Sequence, residues 1–173
     1  MKEKSSQLKA KPPAFFIKTF GCQANLADSE KIALNLKGKG LKEAAKLEKA
    51  DWVVINSCAV RESAENRVYG LVKKVKEKNS KTKIILTGCL LYRGKRDLAQ
   101  KMPGICLVAK EEWPEFMENN FGKLTSRPVK DSKRVLVKRE DGEYALLPIM
   151  EGCNHFCTYC VVPYARGRQT SRP

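Results

Sequence analysis

The sequence predicts an α/β protein: a doubly wound parallel sheet, followed by the start of a second domain. Three observations lead there. Between residues 14 and 122, short apolar runs alternate with segments of helical periodicity, the order that builds a parallel sheet covered by helices. The runs are continuous rather than alternating, as Trp52-Val53-Val54-Ile55 shows, so both sheet faces are expected to be buried. Each of the first three runs also closes on a small residue and a cysteine.

The elements follow in order. Ala14-Phe15-Phe16-Ile17 reads as a strand ending at Thr19-Phe20-Gly21-Cys22. Asn25 to Lys39 reads as a helix with Leu26, Ser29, Ile32, Ala33 and Leu36 on one face, stopped by Gly38 and Gly40. Trp52 to Asn56 is a second strand, closing on Ser57-Cys58. The helix after it, Arg61 to Lys78, turns Ala64, Val68, Leu71, Val72 and Val75 inward. Lys83 to Thr87 is a third strand, closing on Gly88-Cys89. A helix over Gly94 to Lys101, a short strand Ile105 to Val108 and a helix around Trp113 to Asn119 complete the unit. Cys106, inside that short strand, reads as a small buried hydrophobe.

The expected organisation is a disordered basic tail (residues 1–13), an α/β domain (14–122), a polar, basic linker (123–142) with a possible edge strand at Arg134 to Lys138, and the start of a second domain (143–173), where an apolar strand, Tyr144 to Met150, feeds a cysteine loop. The 42% hydrophobic fraction supports a core, and Lys+Arg outnumber Asp+Glu by 34 to 19, for a net charge of +15. That sign favours polyanions such as nucleic acid, although lysine also solubilises a surface. No stretch is long and apolar enough to span a membrane, and the lysine-rich start lacks the features of a secretory signal. Seven cysteines without an export signal point to a cytoplasmic chain using thiols for metal.

Two cysteine constellations follow. Cys153, Cys157 and Cys160 form CxxxCxxC after Gly152. Three thiolates so close can hold three irons of a cubane cluster, leaving the fourth open to a small chelating ligand. Zinc would call for CxxC pairs and a fourth ligand, and His155 lies awkwardly between two of the cysteines. A disulfide would require an oxidising compartment. The second set is Cys22, Cys58 and Cys89. Each follows a strand, and the C-terminal strand ends of a doubly wound sheet share one edge, where ligands bind. Three cysteines distant in sequence are therefore expected to converge into a second site.

The motifs resemble a known family. Thr19-Phe20-Gly21-Cys22-Gln23-Ala24-Asn25 with Asp28-Ser29-Glu30, then Asn56-Ser57-Cys58-Ala59-Val60-Arg61-Glu62, then Thr87-Gly88-Cys89, and finally Glu151-Gly152-Cys153 through Cys160 continued by Val161-Val162-Pro163-Tyr164-Ala165-Arg166-Gly167-Arg168 and Ser171-Arg172-Pro173, are similar in order and content to the radical-SAM methylthiotransferases. The stretch Cys58 to Val68 resembles the MiaB-type branch, the tRNA-2-methylthio-N6-dimethylallyladenosine synthases. The resemblance implies methylthio insertion at C2 of N6-isopentenyladenosine beside the anticodon of tRNA, using S-adenosyl-L-methionine (SAM) and two 4Fe–4S clusters. Cys22, Cys58 and Cys89 would hold the auxiliary cluster, and Cys153, Cys157 and Cys160 the SAM cluster. Tyr159 would line the adenine side of SAM, with loop packing as its alternative. Gln23, Asn25 and Arg61 would support the auxiliary cluster, with Asn25 more readily a helix N-cap. Arg166 and Arg168 would meet a substrate phosphate or carboxylate, or form basic surface.

The resemblance also implies a radical-SAM half-barrel, of which this chain would hold the first strand and cluster loop, and a C-terminal RNA-binding barrel. The 173-residue chain is accordingly expected to be inactive alone. Expected partners are tRNA and an electron donor such as flavodoxin or ferredoxin, with the chain monomeric and the sulfur donor unspecified. The alternatives are methylthiotransferases acting on a ribosomal-protein aspartate or on threonylcarbamoyl-adenosine in tRNA, or a non-catalytic iron–sulfur or RNA-binding module.

Overall fold

The computed structural model describes residues 12–60, 62–122 and 146–172. Its elements are β1 (Ala14–Phe20), α1 (Gln23–Gly38), β2 (Lys42–Glu43), β3 (Trp52–Ser57), α2 (Glu62–Lys78), β4 (Lys83–Thr87), α3 (Lys95–Lys101), β5 (Cys106–Leu107), α4 (Trp113–Phe121), β6 (Met150–Glu151), α5 (Val162–Arg166) and β7 (Thr170–Ser171). Five strands form one all-parallel sheet in the order β2-β1-β3-β4-β5. The chain winds outward in both directions from β1 and β3, and the crevice above that reversal is where such sheets bind ligands.

Side-chain alternation along β3 shows why its run is unbroken. Trp52 and Val54 face α1 and α4, packing with Phe15, Ile32, Leu36, Ile85, Trp113 and Phe121. Val53 and Ile55 face the opposite layer, with Val68, Val72, Ile84, Leu86 and Leu98. Both faces are covered, so every position of β3 is apolar until Asn56.

Some expectations change. Strand β2 had no sequence signal: its two residues are exposed and charged, and it joins the sheet through the backbone, with Lys42 N–H donating to Pro13 O and Ala44 N–H to Phe15 O. Leu26 is exposed, and Asn25 takes its place on the buried face of α1. Cys106 is exposed: it opens a two-residue strand at the sheet's edge, and full burial begins only beyond that strand, at Val108. Among the described residues, strand pairing before the cysteine loop is confined to Met150–Glu151, which forms an antiparallel ribbon with Thr170–Ser171, and the first two residues of the predicted strand, Tyr144 and Ala145, lie outside the described residues. The proposed edge strand at Arg134 to Lys138, the tail to residue 11 and Arg61 lie outside the described residues.

Candidate metal centre

The three strand-end cysteines are placed by the sheet register. Thr19, Asn56 and Thr87 form one row across β1, β3 and β4. Cys58 follows β3 directly and extends the ladder, its N–H donating to Phe20 O at 2.8 Å. Cys22 caps α1 two residues beyond β1. Cys89 follows Gly88, whose φ of +93° lets the chain turn against β3; a Cβ there would collide with Asn56 Oδ1 and come within 2.6 Å of Ser57 O. Only glycine allows both the conformation and the approach.

A buried polar network supports this edge. Asn25 Oδ1 accepts the Cys22 N–H at 3.2 Å, and its Nδ2 donates to Asn56 Oδ1 at 3.1 Å. Asn56 Nδ2 donates to Asn25 O and to Ser29 Oγ, and Ser29 pairs with Thr19 Oγ1. Asn25 is thus the third residue of α1 rather than its N-cap, and its side chain reaches back to the cap. Gln23 is exposed on the first turn.

All three cysteines are free thiols, with Cys58 and Cys89 buried and Cys22 exposed. Two sulfurs accept N–H donors: Cys58 Sγ from Val60 N–H at 3.3 Å, and Cys89 Sγ from Arg166 Nε at 3.2 Å. Burial pushes the Cys89 thiol up, the Arg166 guanidinium pulls it down, and neighbouring Cys58 and Cys22 add to the upward push.

Cys153, Cys157 and Cys160 lie on a loop whose two ends are tied. Cys153 N–H donates to Gly167 O at 3.1 Å, Gln169 N–H to Asn154 Oδ1 at 3.0 Å, and Cys160 N–H to Cys157 O at 2.9 Å. Gly152 has φ +75°, and a Cβ there would strike the Arg168 carbonyl. Phe156, between two of the cysteines, holds φ +45°, a left-handed conformation that costs about 1–3 kcal/mol in a bulky residue. His155 is exposed. Tyr159 is 90% exposed, so packing within the loop does not hold it.

Arg166 departs most from expectation. It is not basic surface: its side chain is 15% exposed, and Nη2 meets Asp28 Oδ2 at 2.8 Å. Burial works against its charge, but Asp28 and Cys89 more than offset that and hold it protonated. Lys110 completes the cluster, pairing with Glu151 and lying 3.6 Å from Asp28. Arg166 thus ties the cysteine-loop segment to α1 and to the Cys89 edge. Arg168 is exposed, as expected of basic surface, and lies over the Phe156 ring at 5.6 Å. In the sequence, Asp28 and Asn56 stand out only as members of their motifs. The available signal for Asn56 was a lone amide ending an apolar strand.

A cavity of about 700 Å³ opens at this edge, with Cys89, Trp113, Tyr92, Tyr164 and Arg166 among its walls. Among the described residues, no three His, Cys, Asp or Glu side chains gather tightly enough for a single metal ion. Ligands of one ion lie at most about 4.6 Å apart, twice a ~2.3 Å metal–sulfur bond. Thiolates bound to separate irons of one cubane stand farther apart. Free thiols at one sheet edge, two of them already accepting N–H donors, are the kind of donor set an iron–sulfur cluster would use.

Comparison with known proteins extends this picture. A family model described as "Uncharacterized protein family UPF0004" matches residues 14–109, the extent of the parallel sheet. The chain is 39% identical over 173 residues to the tRNA-2-methylthio-N(6)-dimethylallyladenosine synthase of Dictyoglomus thermophilum, covering 92% of this chain and 39% of that protein. Proteins of the same name from Clostridium botulinum (strain Alaska E43 / Type E3) and Thermodesulfovibrio yellowstonii are 38% and 39% identical, covering 91% and 92% of this chain and 38% and 39% of theirs. The chain spans about two fifths of the length of these curated relatives. The similarity to methylthiotransferases read from the motifs is borne out. Because the matched region takes in more than half of its residues, the chain belongs to the family described as UPF0004.

Proposed function

We propose that this chain is part of a tRNA methylthiotransferase that places a methylthio group at C2 of N6-dimethylallyladenosine. The observation that carries the reading is the placement of Cys22, Cys58 and Cys89 at one sheet edge, with Arg166 reaching Cys89 from the segment bearing CxxxCxxC. Cys22, Cys58 and Cys89 would hold one 4Fe–4S cluster, and Cys153, Cys157 and Cys160 the other. When bound, the loop cluster supplies an electron to SAM, and the sheet-edge cluster supplies the sulfur to be transferred.

The chain's own residues have definite tasks in this reading. Val60 N–H and Arg166 Nε donate to ligand sulfurs and stabilise their anionic form. The Asn25–Asn56 pair fixes the start of α1 against β3 and so fixes Cys22 relative to Cys58. Asn154 and Gly152 hold the loop closed. Tyr159, exposed beside Cys160, is free to meet the adenine of SAM. The net charge of +15 suits a tRNA partner. Flavodoxin or ferredoxin would provide the electron. Among the described residues no helix is long and apolar enough to cross a membrane, and we place the chain as a monomer in the cytoplasm.

Iron and acid-labile sulfide after anaerobic reconstitution test the reading. The wild-type chain should bind about eight irons, and the Cys153/Cys157/Cys160→Ala variant about four, one cubane for each cysteine triad. The Cys22/Cys58/Cys89→Ala variant should also fall to about four. Zinc in place of iron, or no more than about four irons in the wild-type chain, would overturn it. The 173-residue chain alone should give no methylthio transfer.

A further inference from the structure

A row of exposed rings joins the two cysteine sites. Tyr92 lies three residues after Cys89 in the same 3-10 helix, Cys89–Arg93. Its ring centroid is 6.0 Å from that of Tyr164 on α5, and Tyr164 is 5.8 Å from Phe156 in the CxxxCxxC loop. Arg168 lies over the far face of the row, 5.6 Å from Phe156. The three rings are 50%, 62% and 44% exposed. They do not form a core that happens to reach the surface. Phe156 adopts a left-handed backbone to stand in the row, while Tyr159 has no ring partner among the described residues. Tyr92 and Tyr164 also line the cavity that holds Cys89.

Resting on the RNA reading above, we propose that Tyr92, Tyr164 and Phe156 are a stacking platform for an unpaired nucleotide of single-stranded RNA. Exposed aromatic rings beside cations take bases with little regard to sequence, because every base has a π-face. Arg168 supplies a cation at one end, and Lys31 lines the cavity within a strongly basic chain. A base held on Tyr92 and Tyr164 would lie over the cavity wall formed by Cys89. An acidic peptide would meet the same charge but has no planar group to use three rings.

The test is binding of the 173-residue chain to a short single-stranded RNA carrying one 2-aminopurine, over a series of salt concentrations. Wild type should bind and quench the 2-aminopurine. Tyr164→Leu and Phe156→Leu should each lose about five- to a hundredfold in affinity, with the salt slope unchanged because no phosphate contact is removed. Tyr164→Phe, which keeps the ring, should restore binding and guards against misfolding. Leucine variants that bind and quench like wild type overturn the platform and leave the RNA reading standing. Absence of any salt-dependent RNA binding by wild type also overturns the platform, while the iron count above separately decides the reading on which it rests. Binding that is lost equally in Tyr164→Leu and Tyr164→Phe also overturns the platform, since the ring would then be irrelevant.

Discussion

Replacing Arg166 with methionine keeps much of its apolar stem and removes the charge and every donor. The guanidinium gives up a 2.8 Å ion pair with Asp28, an N–H bond to Cys89 sulfur and a weaker approach of 3.9 Å to Glu151. Breaking a fully buried pair costs about 3–5 kcal/mol when a charge is left alone. Here it is not left alone, because Lys110 still reaches both Asp28 and Glu151. An exposed pair would contribute about 0–1 kcal/mol, but Arg166 is too enclosed for that limit. A hydrogen bond to a charged group is worth about 1.5–3 kcal/mol, so the variant should lose about 2 kcal/mol. For a chain of this length that lowers Tm by about 4–8 °C, readable by circular dichroism. A double-mutant cycle with Asp28→Asn should return a coupling of about 1–2 kcal/mol. Without the guanidinium that pulls the Cys89 thiol down, Cys89 should alkylate more slowly at neutral pH in Arg166→Met than in wild type. A Tm within about 1 °C of wild type together with zero coupling would refute the clamp.

Asn56→Leu should lower stability by about 1–3 kcal/mol, because the buried Asn25 amide loses its acceptor; the midpoint of urea denaturation measures it. Gly88→Ala meets both a φ of +93° and a collision with Asn56, so it should destabilise by more than about 1 kcal/mol and reduce iron at the sheet-edge site, leaving the loop site filled. Burial, with help from the Glu65 carboxylate that accepts its hydrogen bond, pushes the Tyr69 phenol above its ordinary range. A folded-state value above the unfolded one stabilises fully below about pH 10, and that contribution disappears as pH rises through the folded value. Tyr69→Phe should remove this part of the alkaline decline, seen by denaturation at stepped pH, and ultraviolet titration of wild type should show the late phenol.

The sheet was legible because buried parallel strands must be apolar on both faces, as the run Trp52 to Ile55 is. Strand β4 is found at its predicted bounds, Lys83–Thr87. The cysteine triad was legible for a topological reason: parallel strands place their C-terminal ends on one edge whatever separates them in sequence. What escaped was whatever depends on partners far along the chain. Strand β2 joins the sheet through backbone bonds, and its Glu43 meets Lys37 in an exposed ion pair, so its side chains carry no apolar pattern. Cys106 reads as buried from its apolar neighbours, but it lies at the sheet's edge, with a strand on one side only, and is exposed although Val108 on the same strand face is buried. Arg166 sits in a run with Arg168 that looks like solvated charge, and its partner Asp28 lies 138 residues earlier. Local spacing encodes which face of a helix is apolar, not which carboxylate an arginine will find. The same limit applies within the site. Cysteine positions follow from strand ends, whereas the groups that hold them in place, Asn25, Asn56 and Arg166, are polar residues whose meaning comes only from burial. A polar side chain is costly to bury without a partner, and each of these three, enclosed as it is, finds one on a distant element.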